Sequence, residues 1–420
     1  MSMNITEKIL AKAAGKKKVV PGEVVTAKID IALAHDVTSD LAIDIVEKEF
    51  GGKIWDPNKI IILPDHGVPN KDIKVATLVK RLLDFAHAKK IKNIFSIETG
   101  DYDVCHTMLP YRGFVRPGQV IVGADSHTCQ HGSLGAFSTG IGSTELGNVM
   151  ATGKLWFRVP ETIKIEVNGK LPKDVMAKDI VLKVIGDLGV DGALYKAMEW
   201  TGSTIEDMSI DERMTLTNMA IECGAKSGII APDKKTIDFV KARTKEKFEP
   251  LYSDKDAKYS KVLKYKAADF VPVVAKPYLP SNVVPAKDCK KIKINQSYIG
   301  SCTGGKIEDF AAAAKELKGK KKAKDVKLLI VPATAEIQRA IVKNGWYDIF
   351  MDAGAVFVSP GCNACLGYHG GVLAAGEIAI ATTNRNFRGR MGHPDSLVYL
   401  ASPIVAARSA IAGYITDEVK

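Results

Sequence analysis

Short, unbroken apolar runs recur along this chain, separated by stretches of helical periodicity. The runs are "KIIILP" (59–64), "NIFSI" (93–97), "QVIVG" (119–123), "VKLLIV" (326–331), "AVFVS" (355–359) and "EIAIAT" (377–382). Helical patterns fill 72–90, 143–156, 178–187, 211–222, 306–317 and 334–343. A strand that is apolar at every position is buried on both faces, and such strands belong to parallel sheets flanked by helices. The alternation therefore predicts an α/β fold. Such sheets hold ligands at the carboxyl ends of their strands. The polar motifs do follow strands: "DHGVPN" after 59–64, "ADSHT" after 119–123, "GSCTGG" after 292–299, "PGCNAC" after 355–359 and "TNRNFRGR" after 377–382.

A length of 420 residues suits two or three domains. Composition shifts around 245–291, which is rich in Lys, Pro and Asp and short of helical periodicity. That passage separates an N-terminal α/β body (1–285) from a C-terminal α/β domain (286–420). The glycine-rich stretch 131–147 lacks a full G-x-G-x-x-G spacing and reads as packing glycines. No stretch approaches 18 unbroken apolar residues, and the first 18 residues read as an amphipathic helix instead of a secretory signal. The expected location is the cytoplasm, with no membrane partner. The net charge of +11 arises mostly from lysine runs at 15–18 and 318–324. It reads as solvated surface, or more sharply as attraction for anionic substrates. Without a basic stripe interleaved with aromatics, nucleic-acid binding is not expected.

Seven cysteines in a chain this long make no disulfide scaffold. Three share one setting. Cys302 in "GSCTGG" and the Cys362/Cys365 pair in "SPGCNACLGYHGG" follow strands in glycine-rich turns. Glycines let a backbone approach a bulky ligand, and backbone N–H groups stabilise thiolates. Three thiolates suit either zinc, with His369 completing a closed site, or an iron–sulfur cluster with one iron free of protein ligands. Two carboxylate–imidazole sets also lie at strand ends, Asp65-His66 and Asp125-Ser126-His127. A carboxylate fixes the tautomer of its imidazole and supports acid–base work. Asn384, Arg385 and Arg390 in "TNRNFRGR" suit two-donor binding of carboxylates.

"DSHT", "GSC", "GC-x-x-C-x-G" and "NRNF-x-GR" occur together and in this order. The chain thereby resembles, essentially end to end, the isopropylmalate dehydratase and homoaconitase large subunits of the aconitase superfamily. The resemblance implies three aconitase-type α/β/α domains around a cluster cleft, two of them intertwined within 1–285. It implies one [4Fe–4S] cluster held by Cys302, Cys362 and Cys365. It implies a hydro-lyase that isomerises 2- and 3-isopropylmalate in leucine biosynthesis, or else homoaconitate or another alkylmalate such as dimethylmalate. Asp65 and His66 match the pair that protonates the leaving hydroxyl. Asp125, His127 and Glu222 match groups around the iron-bound water. Ser126, Asn218, Asn384, Arg385 and Arg390 match substrate- or cluster-proximal positions, and Asp36 falls near a substrate contact. Asn218 and Glu222 are spaced for one helix face. Gly304 stands where the family usually has Asn. The superfamily's proton-abstracting serine lies on a swivel domain that is not found in this sequence. The resemblance therefore implies a small swivel-domain subunit, in a heterodimer or heterotetramer, without which the large subunit is inactive.

Overall fold

The computed structural model describes residues 2–418. The chain divides into two compact units, Met1–Asn168 with Ala193–Tyr265, and Gly169–Gly192 with Lys266–Lys420. The boundary expected at 285/286 thus falls inside the second unit. Strands Val273–Ala275 and Val283–Pro285 pair with each other there, and the former also pairs with Leu397–Ala401. The detour 169–192 belongs to the same unit because helix Ala177–Leu188 is tied in by Asp179, whose carboxylate accepts the Val273 N–H at 3.0 Å.

The first unit is built on a five-stranded parallel sheet in the order Asn93–Ile94, Ile60–Ile62, Ile31–Ala34, Val120–Gly123, Phe137–Gly140. Successive strand residues point to opposite faces. Both Ile31 and Ala32, and both Ile61 and Ile62, are buried, as continuous apolar runs require. Ile31, Leu33, Ile61 and Ile121 join Met108, Leu109, Val115 and Val240 in one core cluster. Helix Ile73–Ala88 starts where the Asp72 side chain accepts the Val75 N–H, as an N-cap should. A second sheet of this unit runs Ser227–Ile230, Ala197–Thr201, Thr162–Asn168, Lys261–Lys266. Two helical expectations shorten. The helix expected over 143–156 ends at Thr152, because left-handed Gly153 (φ 69°) caps it and "KLWFR" then alternates exposed and buried as a strand. The helix expected over 211–222 ends at Asn218 and tightens into a 3-10 turn, Met219–Cys223, before left-handed Gly224.

The second unit carries a seven-stranded sheet in the order Val283–Pro285, Val273–Ala275, Leu397–Ala401, Ile378–Ala381, Gln296–Gly300, Lys327–Val331, Val356–Phe357. Its last five strands are parallel. Helices Ile307–Leu317, Ala335–Lys343 and Pro403–Ala412 connect or follow these strands.

Both parallel sheets are wound the same way. In the first unit the chain starts at Ile31–Ala34, steps outward through Ile60–Ile62 and Asn93–Ile94, then returns to Val120–Gly123 on the other side. In the second it starts at Gln296–Gly300, steps out through Lys327–Val331 and Val356–Phe357, then returns to Ile378–Ala381. Each reversal opens a crevice at the carboxyl ends of the two central strands, the usual place for a ligand in an open α/β sheet.

Candidate active site residues and cluster ligands

At the reversal point of the first unit, the loops after Ala34, Ile62 and Gly123 bring His35-Asp36, Asp65-His66 and Asp125-Ser126-His127 together. The Asp36 carboxylate accepts the N–H groups of Asp65, His66 and Gly67 at 3.3, 3.2 and 2.7 Å. It is buried, and its contacts fix the turn that presents His66. His66 Nδ1 donates to Asp65 Oδ1 at 2.7 Å, and its Nε2 lies 3.4 Å from Asp125 Oδ2. Asp65 Oδ2 also accepts the Cys105 N–H at 2.8 Å. The His35 ring stacks on His66 with centroids 4.4 Å apart.

Asp125 accepts the His127 N–H at 2.7 Å and pairs with His106 Nε2 at 2.8 Å. His127 Nε2 meets Glu222 Oε1 at 2.8 Å. The shortened helix therefore still delivers Glu222, from the 3-10 turn and not from the helix that carries Asn218. The Asn218 amide donates to Gln130 Oε1 at 2.7 Å, one layer behind the histidines. Ser126 is half-buried at the start of the short helix Ser126–Leu134. The packing reading of 131–147 is borne out at Gly132, where a β-carbon would come within 1.7 Å of the Gly228 carbonyl oxygen.

The electrostatics follow from these contacts. Burial alone would raise the Asp36 carboxyl, but hydrogen bonds and charge from His35 and His66 outweigh it and hold the group well below its usual range. Burial likewise opposes the charge on His66. The Asp65 carboxylate, then hydrogen bonds with Asp125, Asp36 and Asp65, lift that imidazole well above 6.5. Asp125 is desolvated too, yet the charge and hydrogen bond of His106, with those of His127 and His66, hold it well down. The site thus favours the charged form of the His66 imidazole and the ionised forms of Asp36 and Asp125; His66 and Asp36 are buried and Asp125 is half-buried.

His35, His106 and Gln130 join these contacts, and His131 packs beside His106 with ring centroids 5.9 Å apart; none of the four was singled out from the sequence. His35-Asp36 repeats the adjacency of Asp65-His66 in reverse, so a signal existed for it. His106 stands alone inside "DVCHTML", and a lone histidine carries no such signal.

In the second unit, the one-turn helix Ser301–Gly304 follows Gln296–Gly300 directly and carries Cys302. Asn384 follows Ile378–Ala381, the strand across the same reversal point. Its amide Nδ2 lies 3.5 Å from Cys302 Sγ, and its Oδ1 lies 3.6 Å from Cys365 Sγ. One side chain thus joins two of the three thiols. Cys362 reaches the group from the loop after Val356–Phe357, with its carbonyl accepting the Tyr298 hydroxyl at 3.3 Å. Burial and the neighbouring Cys365, Cys362 and Cys302 together drive the Tyr298 phenol well above 10. Cys302 and Cys365 are buried and Cys362 is half-buried. Arg385 and Arg390 are half-buried. Arg388 of the same motif is a surface residue paired with Asp395 at 2.8 Å.

Four ligands around zinc at about 2.3 Å lie roughly 3.8 Å apart. Among the described residues, the His/Cys/Asp/Glu group whose ligand atoms all come within 4.8 Å of one another is His35, Asp36, Asp65 and His66. The His35 group is a hydrogen-bonded relay whose Asp36 oxygens are occupied by backbone amides.

Gly304 has no room for a side chain. A β-carbon there would lie 2.4 Å from both Cβ and Oγ1 of Thr382. Thr382 is fixed in place, since its hydroxyl accepts the Gly300 N–H at 2.8 Å and donates to the Gly300 carbonyl at 2.9 Å.

Comparison with known proteins agrees with this picture. A model of the aconitase family (aconitate hydratase) matches residues 7–291 and 285–413. The chain is 53% identical over 415 residues to the 3-isopropylmalate dehydratase large subunit of Heliobacterium modesticaldum, covering 99% of this chain and 98% of that one. It is 54% identical to 3-isopropylmalate dehydratase large subunit 1 of Pyrococcus furiosus, with the same coverages. For the large subunit of Aquifex aeolicus the identity is 51%, over 100% of this chain and 98% of the relative. Among solved structures, holo aconitase X of Thermococcus kodakaraensis shares the fold, with a TM-score of 0.50 at 12% identity over 91% of this chain and 89% of that one. The α/β fold, the motif set and near-complete similarity to these relatives lead to one conclusion: the chain belongs to the aconitase family.

Proposed function

We propose that this chain is the large subunit of a 3-isopropylmalate dehydratase, a hydro-lyase that interconverts 2- and 3-isopropylmalate by removing and restoring water. The carrying observation is that a three-thiol set and a buried carboxylate–histidine relay occur on a chain similar over its whole length to proteins of that name. Cys302, Cys362 and Cys365 would hold one [4Fe–4S] cluster. When bound, that cluster supplies a Lewis acid for the substrate's hydroxyl and carboxylate.

The remaining work falls to side chains. His66, kept protonated by Asp65 and aimed by the Asp36-fixed turn, donates the proton that lets hydroxide leave as water. Asp125 stabilises that imidazolium. His127, oriented by Glu222, holds the departing water, with Ser126 and Asn218 in support. Arg385 and Arg390 grip substrate carboxylates through two-donor forks, and Asn384 orders the thiols. The base that removes the carbon-bound proton is assigned to a small subunit, since no residue of these motifs supplies it. Seven free cysteines agree with a reducing cytoplasm. No helix among the described residues is long and apolar enough to cross a membrane.

The test is anaerobic reconstitution with iron and sulfide, mixing with small subunits, and assay against 3-isopropylmalate, homoaconitate and dimethylmalate. Preferential turnover of 3-isopropylmalate is expected. Preference for either other acid would reassign the substrate.

A further inference from the structure

Two lysines in the second unit are buried almost completely, Lys178 at 3% exposure and Lys306 at 1%. A buried ammonium is costly unless it is paired and hydrogen-bonded. Lys306 has a carboxylate, Asp309, at 3.4 Å, and its Nζ also donates to the carbonyls of Cys302 (3.3 Å) and Thr303. Lys178 differs. Its Nζ donates to the carbonyls of Thr382 (3.2 Å) and Thr383, both neutral. It also occupies the second position of helix Ala177–Leu188, the end at which a helix dipole disfavours a cation. Nothing in its immediate contacts accounts for a positive charge there.

The backbone it holds does. Thr382 and Thr383 lead directly into Asn384, whose side chain touches Cys302 and Cys365. Lys306 holds the turn carrying Cys302 itself. Each buried ammonium therefore clamps one of the loops that order the thiols. We propose that Lys178, seconded by Lys306, is a positioning residue for the iron–sulfur cluster, balancing the negative charge of its thiolates from behind and fixing the Thr382–Asn384 turn. This rests on the cluster reading above. Burial, then repulsion from Lys306, lowers Lys178 to about 7, and Cys365, Asp309 and Cys302 act in the opposite sense. An anionic cluster would thus favour its charged form.

Two variants separate charge from structure. Lys178→Met removes charge and donor; Lys178→Gln keeps a donor to the two carbonyls but no charge. The readouts are melting temperature, rate of iron loss to a chelator, and midpoint potential of the loaded chain. Both variants should lose iron about tenfold faster than the parent. Their potentials should fall by about 59 mV, the one-electron equivalent of tenfold, since an added electron loses a nearby positive charge. A Lys178→Gln chain within twofold of the parent in iron loss and with an unshifted potential would overturn the proposal. So would loss of the fold in both variants, which would make Lys178 purely structural. A parent chain that takes up no iron would instead overturn the cluster reading itself, before any variant is compared.

Discussion

Gly304 and Thr382 contend for one space: a β-carbon on residue 304 would stand 2.4 Å from the Thr382 β-carbon. The threonine, which follows the neighbouring strand, thus occupies the space that a side chain at position 304 would need. Gly304→Ala should destabilise the chain by about 1–3 kcal/mol, the ordinary cost of overpacking. Adding Thr382→Gly should relieve the clash, so the double variant should lose less than the sum of the two single changes. Urea midpoints of the three variants check this. Simple additivity would show that the two residues do not compete.

The His66 imidazole should be a pH-dependent contributor to stability. Its folded value lies well above the ordinary 6.5. The stabilisation it adds is therefore fully present below about pH 6.5 and fades as pH rises through the raised folded value. The stability gap between parent and His66→Gln should be widest in mild acid and close on the alkaline side. Urea melts from pH 6 to 9 measure it, and a gap that widens with pH would reverse the sign. In the assembled enzyme the same change should lower turnover by ~10²–10⁴-fold, as loss of a positioned acid does.

Much of this is legible in the sequence. Continuous apolar runs betrayed the parallel sheets because a strand buried on both faces cannot be polar. The site residues stood out because they follow those strands. What escaped detection depends on distance along the chain. The segment 169–192 is tied to a strand 94 positions away through Asp179 and Val273, and no local pattern announces that. Strand "KLWFR" was absorbed into a helix because its period-two burial is set by pairing with Val24–Lys28. Lys178 reads as one lysine among many until its carbonyl partners are seen. His106 earns its place only through Asp125, 19 residues further on.

Arg390→Lys should not be mild. Lysine keeps the charge but loses the planar two-donor fork that grips a carboxylate. The expected loss in kcat/KM is about 2–4 kcal/mol, in line with damage to a desolvated charge pair. Steady-state kinetics decide, and activity within threefold of the parent would remove Arg390 from the substrate site.

Five of the thiols should divide by function. Cys302→Ser, Cys362→Ser and Cys365→Ser should each abolish stable iron binding. Cys105→Ser and Cys223→Ser should leave iron content unchanged, with circular dichroism as the fold control because both sites are buried. Burial drives the Cys223 thiol up to about 12, with Glu222 adding to it, so it is an inert thiol and a poor ligand. Iron analysis per folded chain is the readout. Retention of iron in any of the first three would remove that cysteine from the ligand set.

The most direct test is turnover by the anaerobically loaded chain with and without its small subunit. The chain alone should carry about four irons, the content of one four-iron cluster, and show no measurable conversion of 3-isopropylmalate. Adding the small subunit should switch the reaction on, because the base and the closure that excludes water arrive with it. Comparable turnover in both samples would contradict the account, as it would place the base among the residues of this chain.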